Sequence, residues 1–122
     1  MLSLRRLTQS FQDARRGLAH VFRAEQNFRL QVMAAALVLA VVFYFPLRQW
    51  ETVVILLLIV MVLTMEILNT ALERFTDLLK PRLHHYVGAI KDMMAAAVLV
   101  TSLGALIIGT IIVGPYFISL AR

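Results

Sequence analysis

Residues 52–80 read TVVILLLIVMVLTMEILNTALERFTDLLK. The first fourteen, Thr52 to Met65, are uncharged and suit the interior of a bilayer. Glu66 then appears where hydrocarbon is expected, and Asn69, Glu73 and Asp77 follow it at intervals of 3, 4 and 4. That spacing puts all four on one face of a helix. Pro81 should end the helix, because it lacks an N–H and clashes with the preceding turn. A helix over residues 52–80 would be about 43 Å long at ~1.5 Å per residue, against a hydrocarbon core of ~30 Å. It must therefore protrude. Measured from Thr52, Glu66 lies ~21 Å along, inside the core, and Glu73 ~31 Å along, at its boundary. An ionisable group inside a span is costly and is a functional candidate by default. The plainer reading is a protonated glutamate making a structural hydrogen bond to a neighbouring helix.

Outward from this stretch, two further apolar segments appear, LQVMAAALVLAVVFYFPL at 30–47 and MMAAAVLVTSLGALIIGTIIV at 93–113. Each is near the ~20 residues needed to cross a membrane. The first resembles a signal peptide core, but its charged lead, residues 1–29, is too long for one, so it reads as a retained span. Of the 122 residues, 61% are hydrophobic, and the mean hydropathy is +0.82. A soluble chain this short could not hide so much apolar surface, so the sequence describes a small all-α, multi-pass membrane protein of one domain. The segments are 1–29 (surface helix), the spans 30–47, 52–72 and 93–113, and 73–92 (cytoplasmic helix end and loop). With no cysteine, disulfides and thiolate metal sites are excluded.

The net charge of +5 would be compatible with nucleic acid, but its distribution is not. Six basic residues lie in 1–29 and four in 73–92, ten of the twelve, and both blocks border apolar segments. That is the pattern of cytoplasmic flanks. It places the N-terminus and the 73–92 segment inside and the RQWE turn and the C-terminus outside, with Tyr44, Trp50 and Tyr116 near the outer interface. No nucleic-acid-binding motif accompanies the charge. In residues 1–29, Leu4, Leu7, Phe11, Ala14, Leu18, Val21 and Phe22 recur at helical spacing, with Arg5, Arg16 and Arg23 elsewhere around the helix. This predicts an amphipathic helix on the inner membrane surface. Thr101, Ala105 and Gly109, four residues apart, either let helices approach closely or reflect how common small residues are in spans.

Three segments bring charge to one membrane level: Glu25 and Arg29 before the first span, Glu66 to Asp77 on the second, Lys91 and Asp92 before the third. Acidic groups so placed can hold Mg²⁺, which takes one or two carboxylates and completes its shell with phosphate oxygens and water. Lysine and arginine neutralise phosphate charge, and a carboxylate at low dielectric can serve as a general base. These parts fit phosphoryl transfer to a hydroxyl held at the membrane surface. No Walker A or glycine-rich nucleotide loop is present. A small drug exporter and a non-catalytic assembly subunit are the alternatives. The exporter would need four spans and a key carboxylate in the first.

The run EILNTALERFTDLLKPRLHHYVGAIKDMMAAAVLV resembles the signature of the bacterial integral-membrane diacylglycerol kinases, E-x-x-N-[ST]-A-[IL]-E…G-x-A-K-D-M…A-A-V-L, and AEQNFRLQ before the first span fits it. The resemblance implies a homotrimer of three-span subunits in the bacterial inner membrane, each with an N-terminal surface helix, and active sites between subunits at the cytoplasmic interface. It implies Glu66 as catalytic base and Asn69 as its orienting partner. It further implies Glu25 and Glu73 as Mg²⁺ ligands beside ATP, Lys91 on the ATP phosphates and Asp92 holding the nucleotide. Arg6 and the stretch Arg82 to His84 match positions near the nucleotide. Glu66 and Arg29 would face the lipid. Ile90 departs from the usual alanine, a small steric change. His84 and His85 have no further histidine or cysteine at ligand spacing and read as loop residues. The family has a diacylglycerol branch and an undecaprenol branch. SFQDARRGLAHVFRAEQNFRLQ resembles the S-F-x-x-A-x-x-G-[IL]…E-x-N-x-R form of the latter, which implies undecaprenol as the preferred substrate and diacylglycerol as a secondary one.

Overall fold

The computed structural model describes residues 3–82 and 84–122. Its elements are four helices, α1 (Leu4–Ala24), α2 (Gln26–Tyr44), α3 (Gln49–Leu79) and α4 (His84–Leu120). The last three are long and apolar enough to cross a membrane, so the chain is a multi-pass membrane protein. At ~1.5 Å per residue α3 and α4 run to about 46 and 55 Å, well beyond a ~30 Å core.

α1 begins at Ser3, whose hydroxyl accepts the Arg6 N–H and satisfies one of the free donors of the first turn. Leu4, Leu7, Phe11, Leu18 and Phe22 are all exposed. Val21 is buried, and no other described part of the chain covers these five apolar side chains, as expected of a helix lying on lipid. α1 ends at Ala24, and Glu25, with an extended backbone (φ −111°, ψ 115°), is the single residue between α1 and α2. Arg29 holds this joint. Its Nη1 donates to the carbonyls of Phe22 and Arg23, both at 2.9 Å, carbonyls that the end of α1 leaves without helical partners.

α3 is the central helix. α2 and α4 each pack on it and not on one another, and α1 touches α2 and α3. The α2–α3 turn spans residues 45–48, so Gln49, Trp50 and Glu51, read as part of that turn, form the first turn of α3 instead. Glu51 caps it, accepting the Arg48 N–H at 2.8 Å. Tyr116 of α4 donates its hydroxyl to the same carboxylate at 2.5 Å. Phe45 is buried beside them, with ring centroids 5.8 Å from Tyr116 and 4.9 Å from Phe117. Tyr44 and Trp50 stay exposed at this end. At the other end α3 stops at Leu79, two residues before Pro81. The 73–92 segment is helical up to Leu79 and again from His84.

Gly109 makes no tight helix contact within the chain. It and Ala105 line an open slot between α2 and α4, and a Cβ added to Gly109 would meet nothing within 4 Å.

Candidate functional site

The polar face of α3 is built as its spacing requires. Glu66 is 2% exposed. Its carboxylate accepts the side-chain N–H of Gln31 on α2 at 3.1 Å, and its backbone carbonyl accepts the Thr70 hydroxyl at 3.0 Å. A buried carboxylate is tolerable only with such partners. One turn on, Asn69 donates to Glu73 at 3.5 Å, a long and weak contact. The fully buried Thr76 returns its hydroxyl to the Glu73 carbonyl at 3.0 Å. Glu73 itself is half-buried.

At the emerging end Lys91 of α4 forms an ion pair with Asp77, Nζ to Oδ1 at 2.6 Å. The hydrogen bond from Lys91 holds the Asp77 carboxyl below the usual carboxylate range, with Lys80 and Arg74 adding smaller attractions. A lowered value means the pair persists at neutral pH and is lost only as pH falls through that value. The Asp77 side chain is 55% exposed and that of Lys91 34%, so water screens the pair. Lys91 can therefore exchange its carboxylate for a phosphate at little cost.

Other candidates stand apart. Asp92 is exposed at the α4 surface. Arg6 is exposed in the first turn of α1. His84 opens α4 with its ring 5.9 Å from that of His85, and both are exposed. Leu83, within the stretch placed near the nucleotide, lies outside the described residues. Glu25 sits half-buried at the α1–α2 joint. The guanidinium of Arg29, assigned to the lipid, is engaged with the end of α1. Gln31 escaped sequence reasoning. Its signal was a single amide at the start of an apolar segment.

Among the described residues, no three or more His, Asp or Glu side chains cluster to hold a metal. Mg²⁺ that arrives with a nucleotide needs only one or two protein carboxylates. Glu25 and Glu73 lie on separate elements and are both partly accessible.

Residues 12–113 match the family of prokaryotic diacylglycerol kinases. The undecaprenol kinase of Bacillus subtilis (strain 168) is 38% identical over 112 residues, 92% of this chain and 91% of that one. A diacylglycerol kinase of Synechocystis is 32% identical over 115 residues, 93% of this chain but 66% of the longer relative. The diacylglycerol kinase of Escherichia coli K12 is 28% identical over 102 residues, 84% of each chain. With the match running from α1 through the spans to the end of the third, the chain belongs to the prokaryotic diacylglycerol kinase family.

Proposed function

We propose that this protein is an ATP-dependent lipid kinase that phosphorylates the primary hydroxyl of a membrane lipid at the cytoplasmic face of the bacterial inner membrane. The observation that carries the reading is Glu66, a buried carboxylate in a spanning helix whose polar face continues outward through Asn69, Glu73 and Asp77. One helix face thus joins the lipid phase, where the acceptor hydroxyl lies, to water, from which ATP arrives.

In this reading the acceptor oxygen forms a bond to the γ-phosphorus, the bond from that phosphorus to the β–γ bridging oxygen breaks, and ADP leaves. Glu66 takes the hydroxyl proton as general base, held in place by Gln31, while Asn69 orients the groups between Glu66 and Glu73. Glu25 and Glu73 would hold the Mg²⁺ that accompanies ATP, and that ion would spread the phosphate charge. Lys91 leaves Asp77 for the phosphates, and Asp92, Arg6 and His84 line the nucleotide side. Arg29 fixes the joint that presents Glu25 and faces the lipid head.

The chain assembles as a homotrimer with its sites between subunits. The broad apolar faces of α2 and α4 left exposed by a single chain support this. The basic flanks orient the N-terminus and the α3–α4 turn inward. Undecaprenol is the preferred lipid and diacylglycerol a secondary one, a reading supported by the N-terminal motif and by the undecaprenol kinase among the relatives. Neither the exporter nor the assembly-subunit alternative finds an observation in its favour.

The test is ATP- and Mg²⁺-dependent phosphorylation of the two lipids by purified protein in matched micelles. Phosphorylation of neither sinks the kinase, and a higher kcat/KM for diacylglycerol reverses the preference. Lys91→Met should raise the KM for ATP, or lower turnover, by about tenfold or more, the scale of one lost charge-assisted hydrogen bond. Affinity for the lipid should not change. A variant impaired only in lipid binding would move Lys91 to the head-group side.

A further inference from the structure

Asp77 is the one carboxylate on the polar face of α3 to which phosphoryl transfer gives no task. It lies one turn outward of Glu73, ~6 Å along the axis at ~1.5 Å per residue. A polyphosphate held beside Glu73 therefore meets it. Like charges repel, so a further carboxylate there weakens nucleotide binding unless it serves another purpose. In the structure it holds Lys91, Nζ to Oδ1 at 2.6 Å, across fourteen residues of sequence. Among the described residues, neither side chain has another hydrogen-bond partner.

The pair is not needed to fasten α4 to α3. The two helices already pack on one another. Thr76, next to Asp77, is fully buried, and so is Val87, one turn before Lys91. This end of the bundle therefore has packing of its own, and the ion pair lies outside it, with both side chains partly exposed. Water screens such a pair, and its contribution to stability is small. The four-carbon stem of lysine lets the ammonium head swing between two anions while its helix stays still. A weak, accessible bond made by a mobile head is suited to exchange.

We propose that Asp77 is a resident anion that competes with nucleotide phosphate for Lys91, and so sets how readily the product nucleotide leaves. The inference rests on the lipid kinase reading and gives Asp77 a part in it. ATP draws Lys91 off Asp77. Once the γ-phosphoryl group has passed to the lipid, the nucleotide left behind has one phosphate fewer and less charge, and it holds Lys91 less strongly. Asp77 then recovers the ammonium group and ADP departs. Arg74 and Lys80 also attract the Asp77 carboxylate, which keeps an anion at that place while Lys91 is away. Asp77 acts only through Lys91, as a positioning residue, and no bond is made or broken at its own carboxylate.

The experiment uses full-length protein in micelles and has a binding arm and a kinetic arm. The first is equilibrium binding of Mg·ADP without lipid, by calorimetry. The second is product inhibition by ADP during lipid phosphorylation. Asp77→Asn is close to isosteric and removes a partly exposed charge, so it should fold, and Asp77→Ser takes its place if the amide variant misassembles. Both ADP constants should fall by about fivefold, the upper worth of an exposed ion pair. Asp77→Glu keeps the anion and should return them to within about twofold of wild type, as expected of a mild surface change. In a Lys91→Met background, Asp77→Asn should leave ADP binding unchanged, because the two residues act through one contact. An equal gain in that background would mean that Asp77 merely repels phosphate, and overturns the proposal. A lowered Tm with unchanged ADP constants would make the pair a strut between helices, and overturns it too, with the kinase reading intact. Failure of wild type to phosphorylate any lipid sinks the kinase reading, and the binding arm still decides whether Asp77 competes for Lys91. No binding of Mg·ADP by wild type overturns the proposal outright.

Discussion

Glu66→Gln is expected to leave a folded protein that turns over about 10²–10⁴-fold more slowly, the range ascribed to a lost general base. The substitution is close to isosteric. The Gln31 N–H that binds Glu66 at 3.1 Å would find the carbonyl oxygen of the new amide at the same place. The Thr70 hydroxyl bonds the backbone carbonyl of residue 66 and is indifferent to the change. Packing and assembly should therefore survive, and replacing a buried carboxylate by a neutral amide can even raise stability. What is removed is the capacity to take a proton. The check is a single-turnover assay on variant protein whose helical content and oligomeric state match wild type. Rates within a few-fold of wild type would leave Glu66 as a structural hydrogen-bonding group and end its role as base.

The second large effect is expected at the metal. Glu25→Ala and Glu73→Ala should each raise the Mg²⁺ concentration for half-maximal activity by about tenfold or more. Partners that merely orient metal ligands are worth ~10–100-fold in affinity, and a direct ligand should be worth no less. The double variant should be little worse than either single one, because two ligands sharing one ion are coupled and their effects do not add. Full additivity would place the two carboxylates on different ions or in different tasks. Glu73→Ala also frees Asn69, its 3.5 Å neighbour, so Asn69→Ala is the control that separates loss of the ligand from loss of that contact.

The burial of Glu66 was legible because a lone carboxylate after fourteen uncharged residues falls inside a span. The helical face carrying it was legible for the same reason, since periodicity within one helix is a local property. Gln31 was not. A glutamine near the start of a span reads as an interfacial residue, and only the register of α2 against α3 sets it beside Glu66. The Lys91–Asp77 pair, fourteen residues apart, likewise depends on how α4 folds back along α3. Periodicity found the α1 stripe but could not show that a single residue separates α1 from α2. Glu25 looked like one charge among several on a flank, whereas its backbone marks the joint. The spacing of Thr101, Ala105 and Gly109 left open whether helices meet there, and within the chain Ala105 and Gly109 line an open slot. Spacing reports which residues share a face and says nothing of what meets it.

That joint has a mechanical consequence. One extended residue reaches at most ~3.3–3.6 Å, and Arg29 ties it down on the α1 side. α1 therefore cannot float up or sink against α2 by more than about that length. With Leu4, Leu7, Phe11, Leu18 and Phe22 exposed, α1 would ride on a lipid surface like a buoy whose waterline the head groups set. Glu25 is the mooring point, and the depth of Glu66 below it is then measured from the head groups themselves.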